Sequence, residues 1–121
     1  MAQHPIVHVE IPANDPQAAA AFYADLFGWQ TETNATNDYS MFQAAPGPGG
    51  GFPKVDGEYV RPGAVVISVE TDDIDATLTK AEELGATVIE PKAEVPGIGW
   101  FAVFVDPTGN RIALWMTMTQ D

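Results

Sequence analysis

His8 and Glu10, in the string Ile6-Val-His-Val-Glu-Ile11, are the side chains best suited to chemistry. An imidazole and a carboxylate two residues apart project to the same side of an extended chain, because side chains alternate faces along a strand. Such a pair can act as a general base with its orienting carboxylate, as an ionic pair, or as a polar grip on a ligand. Plainer roles fit the same residues: His8 as a partly buried strand histidine hydrogen-bonded to a neighbour, and Glu10 as a solvated carboxylate. The chain holds no cysteine, which excludes thiol nucleophiles, thiolate metal sites and a disulfide framework.

The elements that must position this pair are signposted. Residues 5–11 alternate, with Val7, Val9 and Ile11 on one face and Ile6, His8 and Glu10 on the other. Asp15 is placed to cap a helix, Pro16 suits its first turn, and Ala19, Phe22, Tyr23 and Leu26 form its apolar stripe, ending at Gly28. Strands are expected at residues 29–33 and 39–44, then Pro46-Gly-Pro-Gly-Gly-Gly51 reads as a break in regular structure before a short strand near 52–55. The glycine run suits a flexible hairpin loop, or a loop whose amides approach a ligand.

The order then repeats. Residues 64–70 alternate as a strand with Val66, Ser68 and Glu70 on one face; Asp72 or Asp73 caps a helix bearing Ile74, Leu78, Ala81 and Leu84, which Gly85 closes. Strands follow at 87–90, 100–105 and 110–118, the last two joined by the turn Asp106-Pro-Thr-Gly109. In register, His8 falls on Val66, Glu10 on Ser68 and Asp15 on Asp73. The expectation is one α+β domain over residues 1–121, with modules of about 1–60 and 61–121. Each module reads β-α-β-β-β; neither looks large enough to bury a core alone, so the two would share one curved mixed sheet around a cup, helices on the outer face.

Seventeen acidic against five basic residues give a net charge of −12, which disfavours nucleic acid and anionic membrane surfaces as partners. No stretch is long and apolar enough to span a bilayer and the start lacks a leader pattern, so a cytoplasmic protein is expected.

Together, His8-Val-Glu-Ile-Pro12, Phe22-Tyr-Ala-Asp-Leu-Phe-Gly-Trp29, Val69-Glu-Thr-Asp-Asp-Ile-Asp75, Glu83-Leu-Gly-Ala86 and Asp106-Pro-Thr-Gly-Asn110 carry a resemblance. The chain resembles the vicinal oxygen chelate superfamily of glyoxalase I, extradiol dioxygenases and bleomycin resistance proteins. The resemblance implies a small-molecule site inside the cup and a homodimer. Metal-using members place ligands on the first and last strands of each module. Here His8 matches one such position, but Val66 and Ala113 stand at others and Gly51-Phe-Pro-Lys-Val55 supplies no carboxylate. Neither Val nor Ala can donate an electron pair, so no metal or other cofactor is expected, a divalent metal being the alternative.

Trp100, Trp115, Tyr39, Met41 and Phe42 fall on strands expected to border the cup, where large aromatics serve either as core or as ligand wall. Trp115 shares a strand face with Ala113 and so should look inward, while Ile112 and Leu114 face the helices. The expected ligand-binding set is Tyr39, Met41, Ser68, Trp100, Ala113 and Trp115, with His8 and Glu10 the catalytic candidates. The ligand is expected to be aromatic or cationic, drawn by the acidic field. The function read from this is small-molecule binding without a full metal site, the alternative being a metal-dependent lyase or isomerase of the glyoxalase type.

Overall fold

The computed structural model describes residues 3–34 and 39–118. The first two residues, on which the expectation about a leader partly rests, lie outside this set. Among the described residues eight strands and two helices appear in chain order, an α+β composition in which strand, helix and three strands occur twice. The chain divides into two compact units, Val7–Ile67 and Ser68–Asp121, the latter taking the N-terminal stretch Met1–Ile6 with it. That stretch is tied there by backbone: Glu70 N–H donates to the Pro5 carbonyl at 2.9 Å, and His4 Nδ1 lies 3.0 Å from the Glu70 carbonyl oxygen.

In the first module, β1 (Ile6–Glu10) leads into α1 (Pro16–Phe27), followed by β2 (Gln30–Asn34), β3 (Tyr39–Gln43) and β4 (Gly49–Phe52). The sheet order is β2-β3-β4-β1, with β4 antiparallel to β3 and parallel to β1. Asp15 caps α1 by accepting from the Ala18 N–H at 3.2 Å, which satisfies one of the four unpaired amides at a helix start. Gly28 ends the helix with φ +75°, a left-handed geometry that a β-carbon disfavours.

The glycine run is a strand, and the expectation of a loop there is corrected. Gly50 faces Val9 on one side and Phe42 on the other, so tightly that a β-carbon would strike the Val9 carbonyl. Low strand propensity is overridden because only glycine lets the neighbouring strands approach. Of the strand expected near 52–55, Phe52 is the last residue of β4, and Lys54 makes only an isolated bridge with Ala13.

The core of this module is Ala13, Ala20, Phe42 and Phe52, flanked by Val9, Ile11, Ala19, Tyr23, Trp29 and Ala44. Phe52 is fully buried, a contribution of roughly 1.5–3 kcal/mol relative to exposure. Aromatic rings run through it: Tyr23 stacks on Phe52 at 5.5 Å and on Trp29 at 5.3 Å, and Trp29 stacks on Phe42 at 4.5 Å. Phe22 and Leu26, expected in this core, are exposed. At 3.6 residues per turn the buried side of α1 runs through Pro16 and Ala20, and Phe22 falls on the far side.

The second module comprises β5 (Val66–Glu70), α2 (Ile74–Glu83), β6 (Thr87–Val95), β7 (Gly99–Val105) and β8 (Arg111–Thr117), in the order β5-β8-β7-β6. Of the two candidate caps for α2 it is Asp73 that serves, accepting from the Ala76 N–H at 3.0 Å. Strand β6 is longer than expected and carries two register shifts, between Val88 and Glu90 and between Glu90 and Ala93. Its core is Ile74, Leu78, Ala102 and Leu114. Each module therefore packs a cluster of its own between helix and sheet, which corrects the expectation that neither could.

Candidate functional site

Strand parity places His8 and Glu10 on the face of β1 opposite Val9, whose side chain packs into the core. On β3 the buried residues are Ser40 and Phe42, so Tyr39 and Met41 share the opposite face. The register aligns the two strands through β4: Met41 opposes Gly51, and Gly51 opposes Glu10. One face of the first module thus presents His8, Glu10, Tyr39 and Met41 around Gly51.

These side chains meet. The Tyr39 phenol oxygen lies 3.4 Å from His8 Nε2 and also hydrogen-bonds Glu10. His8 Nε2 stands 4.0 Å from Glu10 Oε2, an ion-pair distance available only when the ring is protonated. Burial lowers the His8 pKa from its ordinary value, and the nearby Glu10 charge offsets this only in part, so the imidazole is neutral at pH 7. Burial raises the Tyr39 pKa well above the usual phenol range, reinforced by the Glu10 charge and its hydrogen bond, so the phenol keeps its proton. The cluster therefore sets a neutral imidazole beside a phenol that gives its one proton to Glu10.

The ring of Tyr39 reaches this position because residue 51 has no side chain. A β-carbon on Gly51 would collide with the phenol, whose oxygen and Cζ are its nearest neighbours. Sequence reasoning placed Gly51 in a loop and missed it as the seat of Tyr39. The available signal was an aromatic residue and a glycine on adjoining segments, but the register opposes Gly51 to Met41, and the Tyr39 ring reaches it only diagonally.

In the second module, Ser68 opposes Ala113 and Glu70 opposes Trp115 across β5 and β8. Ile112 and Leu114 lie on the opposite face of β8, and Leu114 is buried beneath α2, as parity predicts. Trp115 is fixed by donation from Nε1 to Thr117 Oγ1 at 3.0 Å, and its ring covers Gly99, where a β-carbon would sit 2.7 Å from Cζ2. Trp100 does not join this face. It pairs with Met116 and packs on the α2 cluster, with Lys92 Nζ 5.0 Å from its ring centre. One position of strand phase separates it from Phe101, which stands opposite Trp115. Phe42 is likewise core.

A metal is implied by some members of the resembled superfamily, and its fit can be judged from the donors. Among the described residues no three His, Asp or Glu side chains are grouped to hold an ion. His8 and Glu10 supply two donors, and the third polar group beside them is a firmly protonated phenol. A retained catalytic metal needs about three protein ligands, so this donor set does not fit one.

Comparison with known proteins agrees with the fold. Residues 8–115 match the model of the Glyoxalase-like domain, and the chain belongs to that family. It is 34% identical to a glyoxylase-like domain-containing protein of Didymella fabae, the match covering 88% of each chain. It is 28% identical to the anthracycline biosynthesis protein DnrV of Streptomyces peucetius over 88% of this chain, which spans 44% of that relative's length. The same holds for the mycobacterial relative CFP32, of which it spans 43%. A glyoxalase/bleomycin resistance protein/dioxygenase superfamily member from Vibrio splendidus 12B01 has the same fold, with TM-score 0.70, 12% identity and coverage of 94% of this chain and 99% of that one. No helix among the described residues is long and apolar enough to cross a membrane.

Proposed function

We propose that this chain binds a small molecule on the His8, Glu10, Tyr39 and Met41 face of its first module. The observation that carries the reading is Tyr39, whose phenol meets both His8 and Glu10 above a residue that must be glycine. A hydroxyl or N–H of the ligand would donate to Glu10, or to His8 Nε2 in the tautomer that leaves it unprotonated, a ligand carbonyl would draw the single Tyr39 proton away from Glu10, and an apolar or aromatic body would lie on the exposed Met41. An anionic ligand is disfavoured by Glu10 and by the net charge of −12, which instead concentrates cations. Ser68, Ala113 and Trp115 are assigned to ligand contact within the second module, and Trp100 is not.

Thermal-shift and ligand-observed NMR screens with neutral and cationic aromatic hydroxycarbonyl compounds test this. Binding should weaken by about tenfold or more in His8→Ala and Tyr39→Phe, with the fold intact, since each loses a hydrogen bond to the ligand. Equal affinity in both variants would remove the cluster from the site.

A second reading, proton transfer, is favoured by the neutral imidazole beside a carboxylate, the arrangement a general base needs. It predicts deuterium uptake from heavy water at a carbon next to a ligand carbonyl, abolished by His8→Gln. Bound ligand without exchange would leave binding alone.

A further inference from the structure

We propose that Glu32 is the specificity-determining residue of the first-module surface, selecting ligands that carry a cationic group roughly 10 Å from the polar head held by His8, Glu10 and Tyr39. This role rests on the binding site proposed above. Four opposed residues cross that face in a single row: Glu10 on β1, Gly51 on β4, Met41 on β3 and Glu32 on β2. Directly opposed residues project to the same side of a sheet. The buried side fixes the phase independently. Thr33 Oγ1 lies 2.8 Å from Oγ of Ser40, which is fully buried, so Glu32, one position earlier, faces the other way with Met41.

The row is a track with a polar head, an apolar middle and an anionic end. Gly51 has no side chain and the Tyr39 ring lies over it. Met41, next along, is 45% exposed, and Glu32 at the far end is exposed as well. Neighbouring strands stand about 4.8 Å apart, so two spacings, roughly 10 Å, separate Gly51 from Glu32. A ligand whose head meets the Tyr39 hydroxyl and whose apolar body crosses Met41 therefore ends at the Glu32 carboxylate.

Charge decides what that end accepts. Strands β1 to β4 carry Glu10 and Glu32 and no lysine or arginine. Glu10 is engaged at the head, where it accepts the Tyr39 proton and stands 4.0 Å from His8 Nε2. Glu32 lies on the edge strand β2, past Met41 from these groups. A carboxylate there attracts an ammonium and repels a carboxylate, with the modest, salt-screened strength of an exposed ion pair. The second module supplies an internal contrast. Its matching row runs Ser68, Ala113, Val103 and Glu90, so a glutamate holds the same outer position. Ser68 and Val66 stand where the first module has Glu10 and His8, so Glu90 carries the same charge without the polar head.

Three α-hydroxyacetophenones test this, alike except that a para-ethyl arm ends in trimethylammonium, in its neutral isostere tert-butyl, or in carboxylate. Affinities are read by ligand-observed NMR. The wild-type chain should bind the ammonium compound about twofold to fivefold more tightly than the tert-butyl compound, and the carboxylate compound least tightly. High salt should narrow the gap. Glu32→Gln should erase it and leave the tert-butyl affinity and the circular dichroism spectrum unchanged. Glu90→Gln, the same loss of charge at the matching position, should leave the gap intact. No gap in the wild type, a gap that survives Glu32→Gln, or an equal loss in Glu90→Gln overturns the proposal, the last by assigning the preference to the overall acidic field. If the tert-butyl compound still binds and is weakened by Tyr39→Phe, the binding surface stands and only the role of Glu32 falls. If none of the three binds, both fall.

Discussion

The ring of Tyr39 lies directly over the α-carbon of Gly51, close enough that a β-carbon there would meet the phenol oxygen. Glycine at this strand position is what lets a β3 side chain reach across β4 to His8 and Glu10 on β1. The polar cluster and the weak strand propensity of β4 have one origin.

Gly51→Ala and Gly50→Ala should therefore behave differently. In the first, the clash is with the free end of a side chain, so the chain should fold with Tyr39 displaced and its contact with His8 lost, seen as a changed His8 ring signal by NMR. In the second, the added carbon meets the Val9 carbonyl, a backbone group that cannot swing away. Gly50→Ala should cost roughly 3 kcal/mol or more in urea denaturation, the upper end for overpacking.

His8 reports on its surroundings by titration. Burial lowers its pKa and Glu10 counters it, so Glu10→Gln should lower the value further. Tyr39→Ala should raise it by opening the site to water, whereas Tyr39→Phe, which keeps the ring, should not restore the ordinary value. NMR titration of the ring protons reads all three. A rise in Glu10→Gln would contradict the charge assignment.

The same shift gives stability a pH dependence. Because the folded pKa of His8 lies below its unfolded value of 6.5, the unfolded chain binds more protons between the two values. The His8 contribution is intact above pH 6.5 and is lost as pH falls toward the folded pKa. Thermal melts of wild type and His8→Gln from pH 7.5 downward should converge or cross as acid is added, with wild type the steeper; parallel curves would show that His8 is not buried in solution.

At the end of α1, Gly28 holds φ +75° and nothing lies within 4 Å of where its β-carbon would be. Gly28→Ala thus isolates the backbone cost and should destabilise by about 1 kcal/mol. Chemical denaturation of the variant is the check.

Asp106 organises the β7–β8 turn by accepting at 2.9 Å from the backbone N–H groups of Thr108 and Asn110 and from the Thr108 hydroxyl. These bonds, led by that from Asn110, hold its pKa down to about 2. Its contribution is present above the ordinary carboxylate range and lost as pH falls toward that value. Asp106→Ala should lower the denaturation midpoint, and Asp106→Asn should lower it less, because the amide oxygen still accepts.

Much of this was legible in the residues. The Asp15 and Asp73 caps, Pro16, Gly28 and the Asp106 turn act through bonds and torsions spanning a few residues, so sequence identifies them directly. Alternation likewise determined which face His8 and Glu10 share and that Trp115 opposes Leu114 in phase. The order of elements, occurring twice, determined the fold class. What needed tertiary structure was whatever depends on a partner far along the chain. Gly49–Phe52 is a strand only because β1 and β3 press against it from both sides, and propensity alone reads it as a loop. Phe22 satisfies a helical stripe as well as Tyr23 does, and only the sheet beneath α1 decides which of them is covered. Tyr39 belongs with His8 because its ring runs diagonally over Gly51, the cross-strand partner of Met41, a placement no local pattern encodes.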